Sequence, residues 1–284
     1  MIEAKISKSS LLFFILLLAF NAISQEKKPD SLKVDIGFAN RYLWRGQPWG
    51  GDYSVVQPTI AYDFAQRWAV ELWATNNFRR KYFYPDGITP NKGYQEFDVT
   101  VRYAIAKYLT VEVSDYYWPS VQKVSGVDNH YFNYGKDGVK TVDLIWSLDY
   151  SEIDKNVPFE AVLSTLVAGN DFRYNSNGDA KQNFTTYLEV AYTFSKLIKG
   201  NSVLENLELK PTIGAVLNNQ AEYYTSGDYD KVSFVNMGVE LSEEFELCKH
   251  LIMPFSLNYI HNAASANTNL GKDFLVGTLT LQYR

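Results

Sequence analysis

The side chains that most often carry out catalysis or bind metals are scarce in this sequence. Its 284 residues include three histidines and one cysteine. No histidine stands two residues before a serine, and no other pattern nominates a nucleophile with its base. The lone Cys248 excludes an intramolecular disulfide and any zinc or iron–sulfur site built from several thiolates. We therefore expect no catalytic residues, no metal site and no cofactor, and predict that the protein is not an enzyme.

Carboxylates are the reactive side chains that do recur with a regular spacing. In residues 97–105 apolar residues alternate with Asp98, Thr100 and Arg102. Two carboxylates can serve as the acid and base of a glycosidase, but here acidic residues hold the same parity in many separate segments. That distribution is typical of the polar lining of a pore. It nominates these lumen-lining residues: Glu71, Glu96, Asp98, Arg102, Glu112, Asp143, Glu160, Glu189, Glu208, Lys210 and Glu240.

The alternation itself predicts the elements that position these side chains. It also runs through 142–150 and 186–194. A period of two over this length is typical of strands with one apolar and one polar face. A helix would spread the carboxylates around its whole circumference. We predict about twelve strands, in the segments 33–43, 54–64, 67–76, 94–105, 108–118, 140–150, 158–168, 183–194, 206–217, 232–242, 251–261 and 273–283.

The connections between these segments alternate in length. Ala65-Gln66 and Ala106-Lys107 form short turns after the second and fourth strands, whereas residues 77–93 after the third are long and polar. Two even-numbered connections, 195–205 and 243–250, are longer than an ideal turn. Short turns at one rim and long loops at the other are typical of outer-membrane barrels. We predict an all-β fold: a closed antiparallel transmembrane β-barrel with short periplasmic turns and long extracellular loops.

A soluble periplasmic β-protein, either a lipocalin-like barrel or a sandwich, is the alternative. Those folds place their apolar face inside. A closed barrel of about twelve strands has a backbone radius of roughly 12 Å, which is too wide for side chains to fill as one apolar core. Polar residues around an aqueous lumen are therefore the better arrangement.

Aromatic residues gather at the ends of the predicted strands. Amphipathic rings favour the membrane interface. Trp44, Trp118 and Tyr259 are expected at the long-loop rim. A girdle beside the short turns is expected from Tyr62, Phe64, Trp68, Tyr103, Tyr150, Phe159, Tyr192, Phe194 and Tyr283.

The N-terminal residues predict export from the cytoplasm. Two lysines precede the apolar run 11–20, and Ala22 and Ser24 fit the cleavage positions of a signal peptide. The run is too short to span a bilayer, which needs about 20 apolar residues. We expect a cleaved signal peptide over 1–24 and a single outer-membrane β-barrel domain over 25–284.

Composition narrows the classes of partner. A mean hydropathy of −0.23 excludes a helical protein with many membrane spans. A net charge of −5 argues against a nucleic-acid partner, which requires a basic surface. We expect outer-membrane lipid, small hydrophilic solutes and the barrel-assembly machinery as partners.

The first predicted strands resemble a known family. The sequence reads Tyr42-Leu43-Trp44-Arg45-Gly46, then Gln57, then a strand ending in Trp73-Ala74-Thr75-Asn76. This resembles the TorF-like family of putative porins in Gram-negative outer membranes, over about residues 34–77. The resemblance implies a pore-like role and carries no catalytic or binding residues over to this sequence.

The function predicted from these observations is a porin-like channel for passive diffusion of small hydrophilic solutes. The surplus of carboxylates on the polar parity predicts a weak preference for cations. The alternative is a structural or surface-interaction barrel without an open pore.

Overall fold

Twelve antiparallel strands close into one barrel in a computed structural model, which confirms the predicted fold class. The structure describes residues 30–80, 93–198, 204–218, 232–264 and 271–283. The predicted signal peptide lies outside these residues. Within them, no helix has the length and apolarity needed to cross a membrane.

The barrel strands follow one another in chain order, and β1 closes the barrel against β14. Between β7 and β10 the chain forms a short hairpin, β8–β9, that pairs only with itself. The strands are β1 (Ser31–Ala39), β2 (Val55–Phe64), β3 (Trp68–Asn76), β4 (Gln95–Ala106), β5 (Leu109–Tyr117), β6 (Lys140–Asp149), β7 (Phe159–Gly169), β8 (Phe172–Tyr174), β9 (Ala180–Gln182), β10 (Thr186–Tyr192), β11 (Glu208–Val216), β12 (Ser233–Cys248), β13 (Leu251–His261) and β14 (Asp273–Tyr283). A single 3₁₀ turn, Tyr150–Glu152, follows β6 within the described residues.

Two of the predicted boundaries were wrong. β12 continues to Cys248, so the long connection predicted at 243–250 is in fact strand followed by a tight turn. β1 ends at Ala39 instead of continuing to residue 43. The side chain of Asn40 explains this end, because its amide donates to Leu275 O at 3.0 Å and its carbonyl accepts from Gly277 N at 3.1 Å. With a last backbone bond from Asn40 N to Gly277 O at 3.2 Å, these bonds end the pairing of β1 with β14.

Side chains alternate between the two faces of the wall. On β4, Phe97 and Val101 are each 39% exposed and point outward, whereas Glu96 and Asp98 point inward and are 7% and 8% exposed. The other strands repeat the pattern, with exposed apolar residues outside. An apolar outer wall around an interior that carries charged side chains differs from a soluble β-protein, which places its apolar face inside.

Aromatic rings cluster at the end of the barrel that carries the short turns. They form neighbouring pairs with ring centroids 4.7 to 6.0 Å apart: Tyr62–Phe64, Trp68–Tyr103, Tyr192–Phe194 and His250–Tyr283. This placement agrees with the expected girdle at that rim. Trp118 follows the end of β5 at the opposite rim, as expected, whereas Trp44 lies on the connection that folds into the barrel mouth.

Candidate pore interior and its inserted hairpin

The connection between β1 and β2, residues 40–54, folds into the mouth of the barrel. We call these residues the insert. Its tip is a tight hairpin in which Trp44 and Gln47 exchange two backbone hydrogen bonds of 2.9 and 2.8 Å. Arg45 and Gly46 occupy the two central positions with φ of +47° and +78°. Positive φ at both positions is the signature of a type I′ turn.

Gly46 is required where the tip meets the barrel wall. A Cβ atom at this residue would lie 1.9 Å from Val235 O on β12. On the other side, Asn262 is fully buried and donates to Gly46 O at 3.0 Å. Glycine therefore allows a close backbone approach that no other residue would permit.

Arg45 forms an ion pair with a buried carboxylate on the far wall. Its Nη2 lies 2.7 Å from Asp143 Oδ2 on β6, and the Asp143 side chain is 0% exposed. Asp143 also accepts hydrogen bonds from Ser164 at 2.7 Å and from Tyr116 at 3.2 Å. A buried ion pair is retained only when further hydrogen bonds satisfy the charges, as they do here.

Aromatic rings complete the contact around Arg45 and fix the body of the insert. The guanidinium lies over the rings of Trp44 and Tyr187, with its carbon 4.6 and 4.8 Å from their centroids. Nearer the mouth, Tyr42 packs against Trp73 at 5.4 Å between centroids and is 7% exposed. The insert therefore occupies the half of the lumen next to the long loops.

The half of the lumen next to the short turns has a different character. Lys210 pairs with Glu160 at 2.7 Å, yet these side chains remain 32% and 40% exposed. Arg102 pairs with Glu112 at 2.7 Å and keeps 38% of its side-chain surface exposed. Inward charges with this exposure require solvent inside the barrel wall. Glu160 and Lys210 come from β7 and β11, so the pair spans the intervening β10.

The eleven residues nominated from the sequence differ in their partners. Asp143, Glu112 and Glu160 pair with basic residues. Glu189 instead accepts hydrogen bonds from Tyr187 and, at 2.8 Å, from Asn236. No ion pair within 4 Å to another described residue is found for Glu71, Glu96, Asp98, Glu189, Glu208 and Glu240.

Sequence reasoning missed the centre of this arrangement. Arg45 was noted only as part of a family resemblance, and its partner Asp143 was nominated as a simple lumen charge. One local signal was present: the alternating pattern stops at Asn40, and a charged residue followed by glycine then stands among aromatic residues. In the part of the chain that the structure describes, no group of three or more potential ligands forms a metal site.

Comparisons with known proteins concern the fold alone. No protein-family model and no curated protein sequence matches the chain. Among solved structures, a NanC porin matches with a TM-score of 0.44 and 9% identity, covering 89% of this chain and 100% of that one. A KdgM porin gives 0.43 and 8%, covering 89% and 98%. An outer membrane channel from Pseudomonas putida F1 gives 0.44 and 8%, covering 91% and 97%.

Proposed function

We propose that the protein is an outer-membrane channel that passes small hydrophilic solutes and weakly prefers cations. The observation that carries the proposal is the contrast between the two faces of the closed wall. Its outside is apolar, as a lipid-facing surface must be, and its inside carries charged side chains that remain open to solvent. An interior of this kind supports diffusion of water and dissolved ions.

The preference for cations follows from the inward charges. The ion pairs of Asp143, Glu112 and Glu160 cancel in the field, whereas six other nominated carboxylates have no basic partner within 4 Å among the described residues. Those of the six that are ionised make the lumen net negative. A negative lumen attracts cations and repels anions, and added salt weakens this effect because the Debye length is about 8 Å at physiological ionic strength.

Reversal potentials across a salt gradient in planar bilayers test this proposal. We expect measurable conductance with a modest cation preference that declines as the salt concentration rises. Replacing two unpaired inner carboxylates, as in Glu71→Gln with Glu240→Gln, should reduce the preference. Asp154→Asn, in the exposed connection after β6, should leave it unchanged because that charge is at the rim. An anion preference in the wild-type protein would contradict the charge assignment.

The insert favours one second candidate, a barrel that does not conduct in its resting state. The hairpin tip and its aromatic neighbours fill much of the long-loop half, so the width of the passage depends on the insert. Arg45→Ala distinguishes the two functions, because it removes the ion pair that holds the tip to β6. A silent wild-type protein with a conducting Arg45→Ala variant would establish the closed barrel. Conductance in both, larger in the variant, is the result expected for a channel.

We also propose membership of the TorF-like family. Its Tyr-x-x-Arg-Gly element corresponds here to Tyr42, Arg45 and Gly46, and these three residues build the insert. The element has a structural role in this chain, since Arg45 pairs with Asp143, Gly46 approaches the backbone of Val235, and Tyr42 packs against Trp73. Placement of the equivalent arginine inside an experimentally determined TorF-like barrel would test the assignment.

A further inference from the structure

An aromatic pocket lies beside the insert, inside the barrel mouth. It is lined mainly by Trp44, Trp49, Tyr94, Tyr116, Trp118 and one carboxylate, Glu96. Trp49 stacks on Tyr94 with ring centroids 6.4 Å apart, and Trp44 meets Tyr116 edge to face at 5.8 Å. The insert contributes two of the three tryptophans, so the pocket exists only when the insert is folded inward.

The ionisable acid that lines the pocket is a single carboxylate, Glu96. Glu96 is 7% exposed and accepts a hydrogen bond of 2.6 Å from Tyr94, and Tyr42 also bonds to it. Asp98 follows on the same face of β4, and its Oδ1 is buried without a hydrogen-bond partner among the described groups. Arg45 on the insert is not among the lining residues and pairs with Asp143 at 2.7 Å. Glu96 is thus the carboxylate that lines the pocket, and the other described lining side chains offer it hydroxyls but no positive charge.

The same molecule shows what such a combination can hold. On the outer face of the wall, the Lys140 ammonium lies 2.7 Å from Asp115 and 3.1 Å from the centroid of the Tyr131 ring. Tyr134 approaches at 5.1 Å, and its hydroxyl donates to Asp115 at 3.0 Å. Burial and the neighbouring carboxylate raise the pKa of Tyr134, so its hydroxyl stays a donor. In that cluster, aromatic faces and one carboxylate enclose a primary ammonium completely, since the Lys140 side chain is 0% exposed.

The size of the pocket limits its occupant. The cavity of this pocket has a volume of only about 20 Å³. That space suits a headgroup about as large as one water molecule. A sugar ring, which also stacks on tryptophan, is far too large to enter. Aromatic faces attract cations through their quadrupole, and more strongly when water is excluded.

We infer that this pocket binds the primary ammonium group of a small organic cation. Glu96 pairs with the ammonium, the tryptophan and tyrosine faces surround it, and its alkyl chain extends towards the mouth. Such a cation is then the class of solute that the channel selects, a role that rests on the proposed function. Binding itself requires only the folded barrel.

Titration of the purified full chain in detergent with n-butylammonium chloride tests the inference. Tryptophan fluorescence and calorimetry should both show saturable binding, at constant ionic strength set with potassium chloride. Neutral n-butanol and glucose serve as matched ligands without the charge, and we expect at least tenfold weaker binding for each. Equal binding of n-butanol would overturn the ammonium assignment, and preferred binding of glucose would overturn it in favour of a sugar site.

Variants of the carboxylates complete the test. Glu96→Gln keeps the hydrogen bonds to tyrosine but removes the charge, and should weaken n-butylammonium binding at least tenfold. Glu152→Gln, an exposed carboxylate in the 3₁₀ turn at the opposite end, should bind as the wild-type protein does. Retention of the heat-modifiable gel shift of a folded barrel shows that each variant is intact. A Glu96→Gln variant with unchanged affinity would refute the site.

Conductance separates this inference from the proposed function. Saturable, Glu96-dependent binding by a barrel that never conducts would overturn the channel and leave the site in place. A conducting barrel that does not bind n-butylammonium would overturn the site and leave the channel in place.

Discussion

The two halves of the lumen use the same kind of charged residue in opposite ways. In the long-loop half, Arg45 and Asp143 are 12% and 0% exposed and lie among aromatic rings. In the short-turn half, Lys210 and Glu160 form a pair of the same length but remain 32% and 40% exposed. The difference is the insert, which removes solvent from one half only. The buried ion pair of Arg45 and Asp143 holds the insert in place. The solvated pair of Lys210 and Glu160 contributes only to the electrostatic potential inside the barrel.

The largest difference should appear when each pair loses its basic member. Arg45→Ala leaves Asp143 buried without its countercharge, and such a change costs about 3–5 kcal/mol of unfolding free energy. Lys210→Ala leaves Glu160 in contact with solvent and should cost less than about 1 kcal/mol. Denaturant unfolding in lipid vesicles would measure both. Equal losses of unfolding free energy would show that solvent reaches both ion pairs to the same extent.

Adjacent residues on β11 test the inner wall against the outer one. Ile213 is 51% exposed on the outside, and Thr212 points inward. Ile213→Arg at mid-membrane should lower the unfolding free energy by about 2–4 kcal/mol. Thr212→Arg faces solvent and carboxylates, so we expect a loss of about 1 kcal/mol or less. If Thr212→Arg lowered the unfolding free energy more than Ile213→Arg, the part of the barrel from which solvent is excluded would extend beyond the insert to β11.

Gly46→Ala tests the close approach between the insert and β12. The added methyl group would meet Val235 O at 1.9 Å, and such overpacking costs about 1–3 kcal/mol. Since the hairpin can relieve the clash by moving outward, single-channel conductance should rise. Gly178→Ala is the matched control, because Gly178 has φ +82° but nothing within 4 Å of the added Cβ. If both variants conduct alike, the positive φ of Gly46 explains why glycine is needed there, and the contact with Val235 does not.

The smallest effect concerns Lys33 and Asp63, a pair at the short-turn rim. Their nitrogen and oxygen are 3.0 Å apart, with both side chains more than 40% exposed. A double-mutant cycle should give a coupling energy of about 0.2–1 kcal/mol that falls with added salt. The cycle for Arg45 and Asp143 should give a larger coupling that salt hardly changes. A salt-resistant coupling for Lys33 and Asp63 would contradict a solvated rim.

Much of the barrel wall could be predicted because it depends on local pattern. Alternation with period two assigns both faces of a strand at once, and a register error of one residue would reverse the whole set. That parity predicts an inward direction for Glu71, Asp98 and Glu240. The sequence does not reveal the end of β12, because the turn at Lys249-His250 carries no glycine or proline. The glutamate-rich residues before that turn therefore resemble a loop, although they pair with β13.

What the sequence alone determined is therefore the wall: its closed antiparallel arrangement of about twelve strands and which of its faces are apolar. Only the tertiary structure decided the path of the insert. Arg45 and Asp143 are 98 residues apart, and no local periodicity connects them. Which carboxylate is neutralised and which stays open depends on the distance and burial of partners from other strands. Those quantities exist only once the barrel has closed, because closure is what brings β1, β6 and β12 around one cavity.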